Sequence, residues 1–175
     1  MPPDDVLGIG FSLHGDGEFL ELTRPLIEGD ADYFEVAPEA LWRRSADGIE
    51  PNAYFELFAE LKRRSGRPFV AHALQFSLGT DPSDPGETER LALWMEGLAT
   101  CHETFEFEWF SDHLGFMYAN GINRVFPLPL PMTEEAVRRV GERLRAIGEV
   151  VPVTAFENGA DAFRGTIRYL SLIHI

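Results

Sequence analysis

The sequence predicts an α/β protein whose strands are parallel, and two observations lead to that fold class. Segments typical of strands and of amphipathic helices alternate along the 175 residues, which is the pattern of a parallel sheet covered by helices. His72, His113 and Glu157 follow three successive predicted strands, at intervals of 41 and 44 residues. Such intervals suit the strand–helix units of a TIM-type (β/α)8 barrel, which take roughly 30 residues or more each. We therefore predict an incomplete TIM-type barrel with about the first five of its strands.

The N-terminal half predicts strands at residues 6–12, 32–36 and 68–74, and helices at residues 15–28 and 51–65. The clearest of these elements is the helix over 51–65, where Tyr54, Phe58 and Leu61 recur at helical spacing. Its basic C-terminal end suits the helix dipole, and Gly66 is typical of the residue that ends a helix.

The C-terminal half predicts strands at residues 104–110 and 150–156, and helices at residues 87–100 and 133–148. Residues 104–110 read TFEFEWF, and this alternation of aromatic and acidic residues has the period of a strand. The helix over 133–148 opens with Thr133 as a candidate N-cap and an acidic first turn.

Residues 1–169 are expected to form the N-terminal part of a single barrel domain. Residues 170–175 read LSLIHI, which is the translation of the end sequence of a common transposon-based sequencing adapter. We expect this hexapeptide to be adapter read-through and the chain to be a fragment of a longer protein.

The composition excludes several classes of partner. A formal net charge of −14 argues against nucleic-acid binding, which needs a basic surface. No apolar run is long enough to predict a transmembrane helix, and the acidic N-terminus does not resemble a secretory signal. Cys101 is the only cysteine, which excludes a disulfide framework and favours a reducing cytoplasm.

The three predicted strand ends carry residue types that bind metal ions. In a parallel barrel the C-terminal ends of all strands face one mouth, so we expect His72, His113 and Glu157 to converge there. Imidazole and carboxylate ligands suit iron, manganese or zinc. Asp112, beside His113, either caps a turn or takes part in metal binding, and the sequence leaves both open.

Other polar residues near predicted strand ends have simpler explanations. His14 follows the first strand and is expected to hydrogen-bond within a loop. His102 precedes the strand over 104–110 and is expected at the surface, on the opposite side of the barrel. Asn158 is expected in a turn conformation.

Six stretches, taken in order, resemble one known family. They are GIGFSLHGDGEFLEL, DYFEVAPEAL, VAHALQFSLGT, FSDHLGF, FPLPLPMTEEAVRRVGERL and VTAFENGADAF. Together, over residues 6–163, they are similar to the multinuclear iron-dependent TIM-barrel family typified by the methanobactin biosynthesis oxygenase. The resemblance implies an O2-using oxidase that modifies cysteine residues of a ribosomally made precursor peptide. It also implies two or three iron ions in the full-length protein, and a partner protein that presents the peptide.

The resemblance also assigns roles to individual residues. His72, His113 and Glu157 match metal ligands, with Glu157 bridging two irons, and Asp112, Asn158, Glu39 and His14 are candidates for supporting them. The sequence departs from the family pattern in three places. These are Asp112 for the usual Glu, Ala73 for Gly after the histidine, and Ala40 for the Asn of the Pro-Glu-Asn motif.

Two other functions remain open at this point. A divalent-metal sugar isomerase or epimerase could use the same barrel, with a general base and a cationic substrate-binding residue on later strands. The chain could also be a non-catalytic peptide-binding module or an inert truncated barrel. In every case the family's ligands from strands six to eight are missing, so we expect the fragment to be inactive alone.

Overall fold

A parallel sheet of five strands forms the centre of the fold. The computed structural model describes residues 7–157. Its strands are, in chain order, β1 (Gly10–Leu13), β2 (Tyr33–Val36), β3 (Trp42–Ser45), β4 (Gly48–Pro51), β5 (Phe69–Ala73), β6 (Phe110–His113), β7 (Gly115–Ala119), β8 (Ile122–Pro129) and β9 (Thr154–Glu157). The central sheet has the order β1-β2-β5-β6-β9, and every neighbouring pair in it is parallel. Parallel strands in chain order are consistent with part of a TIM-like fold.

Four α-helices connect the described strands. They are α1 (Gly17–Pro25), α2 (Ala53–Ser65), α3 (Glu87–Phe105) and α4 (Glu134–Gly148). A π-helical turn (Leu26–Asp30) follows α1, and a short 3-10 turn (Pro38–Ala40) follows β2. As predicted, Thr133 caps α4 by accepting a hydrogen bond from the backbone N–H of Ala136, and Gly66, at φ 64°, ends α2 in the left-handed region.

The predicted strand over residues 104–110 is wrong. Helix α3 continues to Phe105 and ends where Glu106 enters the left-handed region, at φ 51°. Phe105 and Phe107 alternate with acidic residues because both rings enter the core, stacked at 5.8 Å, one from the helix and one from the loop. His102 therefore lies in the last turn of α3, where its Nδ1 accepts a hydrogen bond of 3.1 Å from the Phe107 N–H.

Two other predicted strands start too early. The first described strand begins at Gly10, so residues 7–9 lie outside it. The last strand begins only at Thr154, because Val150 and Val151 lie in the turn after α4, where both N–H groups bond to the Ile147 carbonyl over 2.9 Å. The predicted strands over 32–36 and 68–74 are confirmed: β2 begins one residue later than predicted and ends at the predicted residue, and β5 is one residue shorter at each end.

Two antiparallel hairpins were not predicted. Strands β3 and β4 form one, after β2, and β7 and β8 form the other, after β6. The second hairpin turns at Asn120 and Gly121, whose φ angles of 54° and 71° are those of a type I′ turn. Each hairpin lies beyond the C-terminal end of a central strand, on the side of the sheet where the polar strand ends are found.

The core lies between the helices and one face of the central sheet. It is rich in aromatic residues, and the fully buried ones are Phe34, Phe58, Phe69, Phe76, Phe105 and Phe110. Cys101 is also buried there, and burial raises the pKa of its thiol to about 12. Among residues 7–157, none of the helices has the length and apolar character required to span a membrane.

Candidate metal centre

Strand register brings the predicted ligands to one face of the sheet. His72 of β5 is the register partner of Ser111 in β6, and His113 of β6 is the partner of Glu157 in β9. Because side chains in a strand alternate between faces, Ser111 and His113 point the same way. All four side chains therefore share one face, at the C-terminal ends of the strands. The opposite face carries Phe110 into the core.

The two imidazoles and the carboxylate of this face lie close enough to hold one ion. Nε2 of His72 is 3.5 Å from Oε2 of Glu157, and Nε2 of His113 is 3.9 Å from the same oxygen. One ligand atom from each of the three residues lies within 4.8 Å of the others. Ligand atoms about 2.0–2.2 Å from one metal ion are roughly 3–4 Å apart, so the spacing suits coordination.

The chemistry of the donors and their exposure also fit a metal ion. Two imidazole nitrogens and a carboxylate oxygen are ligands for iron, zinc or manganese. The side chains of His72 and His113 are 18% and 22% exposed, and that of Glu157 is 58% exposed, so the cluster is open to solvent. The carboxylate of Asp112 raises the pKa of His113 above its ordinary value. Metal binding would therefore compete with protonation of His113 as the pH falls.

Asp112 lies on the other face of β6 and supports backbone rather than joining the cluster. Its side chain is buried, with Oδ2 accepting a hydrogen bond of 2.9 Å from the Ser77 N–H and Oδ1 one of 2.8 Å from the His113 N–H. Burial raises the pKa of this carboxyl above its ordinary value. The carboxylate thus connects the backbone of His113 to the loop that follows β5.

Glu39, in the 3-10 turn after β2, supports the chain just after β5 in a similar way. Its Oε1 accepts hydrogen bonds from the N–H groups of Leu74, over 2.7 Å, and Gln75, over 2.9 Å. Its Oε2 is buried and has no hydrogen-bond partner among the described residues. Burial is the main reason that the pKa of Glu39 is raised to about 7.

Of the two remaining sequence candidates, His14 lies among the described residues. His14 is exposed after β1, with its ring edge-on to Phe19 at 4.8 Å between centroids, and it is not among the three clustered residues. Asn158 lies outside the described residues.

Sequence reasoning missed two serines that contact this region. Ser111 Oγ is 2.9 Å from Nδ1 of His72 and 3.3 Å from the carbonyl oxygen of Ala71. Ser77 is buried at φ 67°, and its hydroxyl accepts a hydrogen bond of 2.6 Å from the Met117 N–H. The signal for Ser111 was present, because a residue two before His113 in a strand shares its face. A strand predicted over residues 104–110 ends before Ser111, so the prediction did not place Ser111 and His113 in one strand.

Comparison with known proteins identifies related sequences. The profile of the family described as RiPP precursor modification enzyme MbnB/TglH/ChrH matches residues 6–165. RiPPs are ribosomally synthesised and post-translationally modified peptides. A UPF0276 protein of Pseudomonas aeruginosa PAO1 is 30% identical over 155 residues, which is 86% of this chain and 47% of that protein.

Two further relatives show the same partial coverage. A UPF0276 protein of Anaeromyxobacter sp. (strain Fw109-5) is 33% identical over 69% of this chain and 41% of its own length. One of Shewanella loihica is 28% identical over 77% of this chain and 43% of its own length. The chain thus spans less than half the length of each of these three relatives.

Proposed function

The chain belongs to the RiPP precursor modification enzyme family MbnB/TglH/ChrH, and we propose that its full-length protein is an iron-dependent, O2-using oxidase. Its substrate is a ribosomally made precursor peptide, on which it modifies cysteine residues. The observation that carries the proposal is the convergence of His72, His113 and Glu157 at the ends of three parallel strands.

The architecture supports the proposal. We infer that residues 1–169 are the N-terminal part of one TIM-type barrel, with the cluster at its mouth, because active sites of such barrels lie at the C-terminal ends of the strands. The remaining ligands would then come from later strands of the full-length protein. A partner protein presents the peptide to this mouth, and the reaction takes place in the cytoplasm.

His72, His113 and Glu157 would hold the metal through both Nε2 atoms and the carboxylate. Bound iron supplies redox chemistry with O2 as co-substrate. Glu157 would contribute its carboxylate to a site that, by the family resemblance, would hold two or three irons. Asp112 holds the backbone of His113, and Glu39 holds the chain just after His72, so both fix where the imidazoles stand.

The experiment is a metal analysis of the full-length protein, purified without O2. His72→Ala, His113→Ala and Glu157→Ala are each expected to lower the bound iron, measured by inductively coupled plasma mass spectrometry. His102→Ala is the matched control, since His102 lies in α3 and contacts the Phe107 backbone instead. Unchanged iron content in all three variants would overturn the assignment.

A second measurement addresses the substrate. The iron-loaded protein, with the partner protein and a cysteine-bearing precursor peptide encoded beside it, should change the mass of the peptide only when O2 is present. Turnover of a sugar with manganese or magnesium, and no change in the mass of the peptide, would instead support the alternative function of a sugar isomerase or epimerase.

A further inference from the structure

The hydroxyl of Ser111 links the ring of His72 to the backbone of the strand that carries it. His72 and Ser111 are register partners on the same face of β5 and β6. Ser111 Oγ lies 2.9 Å from His72 Nδ1 and 3.3 Å from the carbonyl oxygen of Ala71. Both distances are within hydrogen-bond range.

The donors and acceptors of this chain restrict where the protons lie. A serine hydroxyl has one hydrogen to donate, and a backbone carbonyl can only accept. When Ser111 donates its hydrogen to Ala71, its oxygen is free to accept from Nδ1–H of His72. A neutral imidazole carries one ring proton, so Nε2 is left with a lone pair.

The surroundings of Nε2 indicate what that lone pair is for. Nε2 lies 3.5 Å from Oε2 of Glu157, a separation that lets the two atoms share one cation. The side chain of Glu157 is 58% exposed, so water can solvate its carboxylate when no metal ion is bound. A metal ion bound to Nε2 and the carboxylate satisfies both atoms.

His113 has no equivalent support among the described residues. Its Nδ1 is buried without a hydrogen-bond partner and is 3.7 Å from Oδ1 of Asp112. Of the two clustered histidines in the described part of the chain, only His72 has a side chain at hydrogen-bond distance from its Nδ1.

We propose that Ser111 is a positioning residue that keeps the ring proton of His72 on Nδ1 and so presents the Nε2 lone pair to the metal. The prediction that a metal ion binds Nε2 rests on the proposed function, whereas the prediction of a proton on Nδ1 does not. Partners that orient a ligating histidine typically change metal affinity about 10–100-fold when they are removed.

The first test measures the proton directly. Long-range 1H–15N correlation spectra of the metal-free full-length protein distinguish the two tautomers of each histidine. They are recorded at about pH 8, because the ordinary histidine pKa is about 6.5. The His72 signal is assigned by its loss in His72→Ala. We expect wild-type His72 to carry its proton on Nδ1, and a proton on Nε2 would overturn the proposal. This measurement needs no Ser111 variant to fold.

The second test uses Fe(II) without O2, in competition with a chromogenic chelator. Ser111→Ala is expected to weaken Fe(II) binding about 10–100-fold, whereas Ser111→Thr, which keeps the hydroxyl, is expected to bind as the wild type does. Ser65→Ala is the matched control, because it removes another half-buried hydroxyl, one that donates to the Leu61 carbonyl on α2 over 2.7 Å.

The outcomes separate the two proposals. Equal affinity in wild type, Ser111→Ala and Ser111→Thr would overturn the role of Ser111 while leaving the metal site in place. A loss in Ser111→Thr as large as in Ser111→Ala would also overturn it, since packing rather than the hydroxyl would then matter. Failure of the wild type to bind Fe(II) would overturn the proposed function, and the metal-free spectrum would still decide the tautomer.

Discussion

The carboxylate of Asp112 accepts a hydrogen bond of 2.9 Å from the backbone N–H of Ser77, and both residues are buried. Ser77 has a φ of 67°, a conformation that few residues other than glycine adopt without strain. Its hydroxyl in turn accepts a hydrogen bond from the Met117 N–H in β7. Asp112 therefore connects the strand of His113 to the loop after β5, and through Ser77 to the second hairpin.

Replacing Asp112 by alanine should destabilise the fold. Asp112→Ala leaves the buried N–H of Ser77 without an acceptor, which costs about 1–3 kcal/mol in the free energy of unfolding. Urea denaturation of the full-length protein measures the change. Asp84→Ala is the control, because Asp84 accepts from the N–H of Asn120 at an exposed position where water can replace it. An equal loss in both variants would contradict this interpretation.

The buried carboxyl of Glu39 should make stability depend on pH. Its pKa rises from 4.5 in the unfolded chain to about 7 in the fold. Between these values the folded state keeps the proton and the unfolded state releases it. The stability that this group contributes is thus complete below pH 4.5 and is lost as the pH rises through 7.

Glu39→Gln tests this, since glutamine keeps the acceptor oxygen and cannot ionise. Relative to the wild type, the variant should gain up to about 3 kcal/mol of stability as the pH is raised across that range. Urea denaturation at several pH values checks the difference between the two proteins. A difference that stays constant with pH, or grows in favour of the wild type, would show that Glu39 does not titrate as described.

A buried ion pair joins α3 to α4. The guanidinium of Arg143, whose side chain is 6% exposed, pairs with Glu87, which is 3% exposed, and also donates to the Thr80 carbonyl over 3.0 Å. Arg143→Ala should lower the free energy of unfolding by about 1–3 kcal/mol, because the buried Glu87 carboxylate keeps Arg90 but loses a second charged donor, and the Thr80 carbonyl loses its donor as well.

The same helix provides the control for that substitution. Arg138 pairs with Glu142 at 3.8 Å, and both side chains are more than half exposed. Arg138→Ala should change stability by less than about 1 kcal/mol. Thermal or urea unfolding of both variants measures the two losses of stability. Similar losses would contradict a larger contribution from the buried pair.

The order of the elements could be predicted from local patterns because those patterns reflect burial. The face of α2 that carries Phe58 packs into the core, and its periodicity is visible in the sequence. Phe105 and Phe107 led to the wrong prediction of a strand, since alternate burial also arises where a helix ends and a loop turns inwards. The Asn120-Gly121 pair did signal a hairpin, although its flanking strands pack too irregularly for their pattern to be clear.

The convergence of the candidate site was predictable, but its supports were not. His72, His113 and Glu157 could be placed together because parallel strands end at one edge of a sheet. The contacts of Ser111 with His72, and of Asp112 with Ser77, join residues 39 and 35 positions apart. Such contacts depend on exact strand register, which no local pattern in this chain specifies.

The face that each side chain of Ser111-Asp112-His113 takes depends on the register of β6. Alternation sends Ser111 and His113 to the open face of β6 and Asp112 to the buried face. Removing a single residue between Glu106 and Phe110 and shifting β6 by one position would exchange these roles. The Asp112 carboxylate would then join the cluster, and the His113 imidazole would enter an aromatic core. The short segment that joins α3 to β6 therefore helps to set which residues of β6 face His72 and Glu157.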